Sequence, residues 1–192
     1  MDDSLAKIRH ERSKKDFPGL KLEDDEYVEF AFRRARICLA MIIFGTGIGL
    51  IIVLLAFLLV LMGQSMIDDM GRNFLFIMLA TLLAAGVLIG VIALRIYNGN
   101  KLFITNKHVI QMSMVSPVAH SVNIIDLESV EDASFRQENL WQNMFHYGTL
   151  RLSTVGDETT YTFKYSDVSG EDLKAVTKLI TEAKKKRKKK ED

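Results

Sequence analysis

Residues 37–62 read ICLAMIIFGTGIGLIIVLLAFLLVLM, 26 positions without a charge. Residues 74–94 read FLFIMLATLLAAGVLIGVIAL, another 21 without one. A helix needs about 20 apolar residues to cross a hydrocarbon core roughly 30 Å thick, and both stretches are long enough. A buried helix of a soluble core usually keeps a polar stripe, which neither stretch has. The reading is therefore a pair of transmembrane helices. A cleaved signal peptide does not fit, because the apolar region is too long and 36 mostly polar residues precede it.

The connection, residues 63–73 (GQSMIDDMGRN), is short and carries Asp68, Asp69 and Arg72. The outer flanks are basic: Arg33, Arg34 and Arg36 precede the first helix, and Arg95, Lys101 and Lys107 follow the second. The positive-inside rule then predicts a helical hairpin in the cytoplasmic membrane with both termini cytoplasmic. Four parts follow: an N-terminal arm (1–26), the hairpin (27–96), a cytoplasmic domain (97–183) and a tail (184–192). Gly45 and Gly49 in the first helix, and Gly86 and Gly90 in the second, share a spacing that lets helix backbones approach closely in lipid. They are expected to pack on each other or on a second copy, so a homo-oligomer is open. Cys38 reads as a small apolar filler, with palmitoylation as the alternative.

Composition agrees with segregation into unlike parts. The chain is 48% hydrophobic and 26% charged with a net charge of +1, and its mean hydropathy is +0.12. These values exclude a disordered chain, and a single cysteine excludes a disulfide scaffold.

After the hairpin the period changes. Runs at 102–105, 108–115, 119–125, 129–136, 149–154 and 159–165 read as strands separated by turn signals. Asn106-Lys107 makes the first hairpin turn, Ser116-Pro117 a break and Gly156-Asp157 the last turn. Residues 137–144 read as a short helix or a loop. Leu150 and Leu152 face one way, and Tyr161, Phe163 and Tyr165 share a face. Ser169 and Asp172 resemble a capping box, and Leu173, Val176, Leu179, Ile180 and Ala183 follow at helical spacing. The fold class is α+β: a transmembrane hairpin, then a small antiparallel β-barrel or sandwich capped by a C-terminal amphipathic helix. Asp24, Asp25 and Glu26 read as N-terminal capping groups of the first helix.

Three segments carry a resemblance. LFITNKHVI (102–110), with Thr105, Asn106 and Lys107, resembles the opening strands of bacterial pleckstrin-homology (PH) domains. IIDLESV (124–130) is similar to the stretch after their third strand. ENLWQNMFHYGTL (138–150), with Phe145, Tyr147, Gly148 and Thr149, resembles the element before their fifth strand. Membrane-anchored members place two helices ahead of the domain, as here. His108 stands where Arg is usual, and Asn143 where a basic residue is common. The resemblance implies a PH-like domain whose motif residues are structural. Gly148 would allow a bulge or a close backbone approach, and Trp141, Phe145 and Tyr147 would plug one end or, as the alternative, line a ligand pocket.

No catalytic, cofactor-binding or metal site is expected. The four histidines stand apart from one another, GTGIG lies inside an apolar helix, and neither helix has an ionisable group in its apolar body for a proton or ion path. The first hairpin turn offers Lys107 alone, too little for an inositide. The tail is different. Lys184, Lys185, Lys186, Arg187, Lys188, Lys189 and Lys190 are consecutive cations, and without them the net charge of +1 becomes −6. It reads as a solvated, disordered continuation of the last helix, as a contact for anionic headgroups or, least favoured for a membrane-anchored chain, as a contact for RNA or the ribosome. Membrane lipids and an unidentified protein are the expected partners; nucleic acid is not.

Overall fold

The computed structural model describes residues 2–63, 68–154 and 160–191. The expected turn at Gly156-Asp157 and residues 64–67 of the interhelical loop lie outside them. Helix α1 (Asp2–Asp16) leads through a loop to strand β1 (Val28–Arg33), and two long helices follow, α2 (Arg36–Met62) and α3 (Asp69–Gly99). Then come β2 (Lys101–Thr105), β3 (His108–Met114), β4 (His120–Asp126), a 3₁₀ turn (Leu127–Ser129), β5 (Val130–Arg136), a short helix α4 (Leu140–Met144), β6 (Gly148–Thr154), β7 (Thr160–Ser166) and helix α5 (Gly170–Glu191).

Both α2 and α3 are long and apolar enough to cross a membrane. Helix α3 outruns its apolar block at both ends and continues through Arg95 and Tyr97, so that only Asn100 separates it from β2. The two helices pack on each other, with Phe57 and Phe76 rings 5.1 Å apart. A Cβ on Gly86 would meet Leu50 at 3.1 Å, and one on Gly90 would meet Thr46 at 3.5 Å. Gly86 and Gly90 thus give α2 its seat. Gly45 and Gly49 do not face them, since nothing lies within 4 Å of a Cβ at either position. The glycine pairs do not meet because Thr46 and Leu50, one residue further on, occupy the contact face.

The strands form two antiparallel sheets, β1-β2-β3-β4 and β5-β6-β7. They pack as two layers rather than a closed barrel. Their shared core is Phe32, Leu102, Ile104, Val109, Val130, Leu150, Leu152 and Phe163, closed by Val176, Ile180 and Ala183 of α5. The expected helical stripe is thus the buried face of α5. Its start has the expected reciprocal cap: the Asp172 amide donates to Ser169 Oγ (3.1 Å), and Ser169 Oγ donates back to the Asp172 carboxylate (2.7 Å).

The boundary set at residue 97 needs correction. β1 precedes both long helices yet pairs with β2, Phe32 opposite Leu102. Its sequence, VEFAFR, has the period of a strand, and the charge-free block beside it masked that signal. The N-terminal arm also belongs to the domain. Leu20 packs on Phe103 and Ile110, with Phe17, Leu22 and Val28 around them, so the arm covers the outer face of the first sheet. This explains why Leu102, Phe103, Ile104 and Thr105 are all buried although neighbours on a strand point to opposite faces.

Other expectations change in detail. Helix α2 is N-capped by Ala35 without a side-chain bond, so Asp24, Asp25 and Glu26 do not cap it; nine or more residues and a strand intervene. Tyr165 leaves the face shared by Tyr161 and Phe163, because it adopts a positive φ of 61° beside a register shift in the β6–β7 ladder. Helix α5 continues through the cations to Glu191.

Candidate functional site at the two ends of the domain

Polar chemistry gathers at two ends. The distal end, away from α2 and α3, is the β2–β3 turn. Thr105 Oγ1 accepts the His108 amide (2.7 Å) and donates to Glu26 Oε1 (2.6 Å). Asn106 accepts the Tyr27 amide (3.0 Å) and donates to the Asp25 carbonyl (3.1 Å), and Lys107 Nζ donates to the Asp24 carbonyl (2.9 Å). The Thr-Asn-Lys motif therefore ties the arm to the sheet. Glu26, 1% exposed, is its centre. His108 Nδ1 lies 2.9 Å from Glu26 Oε1, and its Nε2 lies 3.4 Å from Asp126 Oδ1. Burial pushes the Glu26 carboxyl up, but hydrogen bonds from Thr105, the Glu23 amide and His108 outweigh it, so the group titrates below its ordinary range.

The proximal end is where the long helices enter. The Ala35 amide donates to the Tyr165 carbonyl (2.6 Å), and Arg34 bridges Ser166. Tyr97 of α3 donates its hydroxyl to the Arg34 carbonyl (3.0 Å). Asn100 donates to the Ile96 and Met114 carbonyls (2.6 and 3.0 Å) and accepts the Met114 amide (3.3 Å). Both helices are thus bonded directly to the sheets. Between them, a cavity of about 550 Å³ lies against Arg34, Met41, Gln142, Lys164 and Tyr165. The Arg34 guanidinium sits 5.9 Å from the Tyr165 ring centroid, and its Nε is buried without a hydrogen-bond partner, the one such side-chain atom among the described residues.

The third motif frames this cavity. A Cβ on Gly148 would stand 2.5 Å from the Arg136 carbonyl oxygen and 2.8 Å from the Phe135 ring. Thr149 pairs with Arg136, and Tyr147 is buried. Trp141 and Phe145 do not plug the domain. They stack on each other (centroids 6.1 Å apart) and are 64% and 44% exposed, because α4 stands out from the second sheet. Among the cations of the tail, Lys184 donates to the Glu131 carbonyl (2.6 Å), and Arg187 lines the same cleft as Lys107 and His108. The tail therefore leaves from the distal end. Sequence reading missed Glu26, Arg34 and Tyr97 as junction residues; the strand period of 28–33 was the available signal for the first two. Among the described residues, no group of three or more His, Cys, Asp or Glu could hold a metal ion.

A family model described as bacterial PH domain matches residues 35–184. No curated protein matches the chain. The solved structure of a DUF1696 family protein with a pleckstrin-homology domain from Shewanella loihica is similar at a TM-score of 0.39 and 10% identity, over 91% of this chain and 96% of that one.

Proposed function

The chain belongs to the bacterial PH domain family, and on that premise we propose that it is a non-enzymatic module anchored in the cytoplasmic membrane that recruits protein partners to the cytoplasmic face. Helices α2 and α3 are the anchor, and the basic flanks hold both termini inside. Edge strand β4 supports recruitment. The outer edge of β1 carries α1, where Ser13 Oγ accepts the Val28 amide (3.0 Å). The edge of β4 lies open, with six of its seven residues exposed. Val122 and Ile124, on one face, are 49% and 62% exposed. An open apolar edge of this kind invites strand addition by an extended peptide. The test is photocrosslinking from position 122 in cells, followed by purification in mild detergent. A discrete adduct that Ile124→Lys abolishes is expected; a lone monomer under all conditions would overturn the reading.

The alternative is an anionic-lipid-binding or membrane-stress component that uses the polybasic tail. It meets a geometric difficulty. Helix α5 starts beside Ser166 at the proximal end and carries Arg187 to the distal one, so the tail starts away from the bilayer that would hold the anchor. Flotation of the full chain and a tail-neutralised variant on anionic vesicles separates the two readings.

A further inference from the structure

The cavity at the proximal end has the charge and shape of a site for one amphipathic anion. Arg34 and Lys164 supply two cations. Its carboxylate, Glu138, lies 3.9 Å from Arg136 Nε. The unpartnered Nε of Arg34 is a buried donor without an acceptor, which native structures seldom leave unexplained. A second hollow of about 360 Å³ adjoins it and shares Met41, Asn139 and Tyr147; Ile37, Trp141 and Phe145 complete its mostly apolar wall. Polar and apolar compartments thus meet end to end.

Depth fixes the occupant. The charge-free block begins at Ile37, and Met41 lies about 6 Å further along the helix. Trp141 and Phe145 stand beside these first turns of α2, at the level where indole rings settle in a bilayer interface. We propose that the double cavity binds an anionic phospholipid of the anchoring membrane. Its phosphate is held between Arg34 and Lys164, and an acyl chain lies along Ile37 and Met41 under the Trp141–Phe145 pair. The phosphate pairs with the Arg34 and Lys164 cations that line the cavity, and the apolar hollow favours a lipid over a free phosphate. The site is separate from the tail and from the β2–β3 turn, whose side chains are spent on the arm. The proposal rests on the membrane-anchored reading above.

Trp141 is the chain's single tryptophan, so it reports on the site. The full chain in mild detergent is titrated with mixed micelles of phosphatidylcholine carrying acyl-chain doxyl quenchers, or of phosphatidylglycerol carrying the same quenchers. Quenching of Trp141 should favour phosphatidylglycerol, and Arg34→Gln or Lys164→Gln should each reduce that preference about fivefold. A triple Lys188→Gln, Lys189→Gln, Lys190→Gln variant should keep it. Circular dichroism checks that both site variants remain folded, and Lys164, exposed on its strand, supplies the test if Arg34→Gln does not fold. Equal quenching by both lipids would overturn the site while leaving the anchor standing. No quenching by either would place Trp141 away from the acyl chains and overturn the site, whereas release of the full chain from membranes by alkaline carbonate would overturn the membrane reading itself. Soluble glycerol phosphate should not compete; if it does, the ligand is a free phosphate and the lipid assignment fails.

Discussion

The two ends of this domain use similar residues to opposite effect. At the distal end Glu26, Thr105, Asn106, Lys107 and His108 each bond to another of them or to the backbone of the arm. At the proximal end Tyr97 and Asn100 make equally local bonds, but Arg34 keeps a buried donor unmatched beside an open cavity. A polar cluster that satisfies itself builds structure; one that leaves a donor over is where a ligand is to be sought. The strongest sequence motif, Thr-Asn-Lys, belongs to the first kind: its side chains tie the arm to the sheet.

The largest expected effect sits where the proximal end is tightest. Gly148→Ala would place a methyl carbon 2.5 Å from a backbone oxygen that belongs to the neighbouring strand and cannot swing away. Unfolding of the full chain in detergent should show a loss of about 3 kcal/mol, with Tyr147 and the cavity wall displaced together. If Gly148→Ala were neutral, the wall of the cavity would be soft, and the contrast between a fixed frame and an open site would weaken.

The distal cluster comes next. Glu26→Gln keeps the shape but removes the charge that Thr105, the Glu23 amide and His108 all serve, at a cost of about 2 kcal/mol. The pH dependence has a definite sign. Because the folded carboxyl titrates below its ordinary value of 4.5, its contribution is complete above that value and is lost as the pH falls through the depressed one. Acid unfolding curves of Glu26→Gln should be flatter than those of the parent chain in that window. Parallel curves would mean that Glu26 contributes no more than Arg34 does.

Legibility followed the same division. The charge-free blocks, the alternating strands after residue 100 and the stripe of α5 were plain because each is a repeat within one element. Gly148 reads as a bulge or a close approach; a Cβ there would meet the Arg136 carbonyl, and the β6–β7 register shifts beside it. What escaped depends on which elements meet. Strand β1 is separated from β2 by both long helices, and nothing in VEFAFR names its partner. Glu26 and Arg34 looked like ordinary flanking charges, because burial is set by residues that lie 79 positions from Glu26 along the chain. Trp141 and Phe145 read as interior because aromatics favour the core, whereas the five-residue α4 and its C-terminal cap leave both exposed.

The seam between helices and sheets offers an intermediate effect. Tyr97→Phe removes one hydroxyl and leaves the Arg34 carbonyl without that donor, which should cost about 1 kcal/mol. It acts on Arg34 through its backbone, so it lowers the melting temperature without touching the guanidinium.

The smallest effect is the most telling. Arg34→Gln removes a guanidinium whose Nε has no protein partner and whose visible attraction is the Tyr165 ring at 5.9 Å, a contact worth about 0.5–1 kcal/mol at most. Losing the buried, unmatched donor offsets part of that. The full chain's stability in detergent should therefore change by less than about 0.5 kcal/mol, far less than for Glu26→Gln, although both substitutions remove one charge near the first sheet. A loss comparable to that of Glu26→Gln would make Arg34 a structural residue like those of the distal turn. The two ends would then be built alike, and the cavity would lose its claim to a ligand.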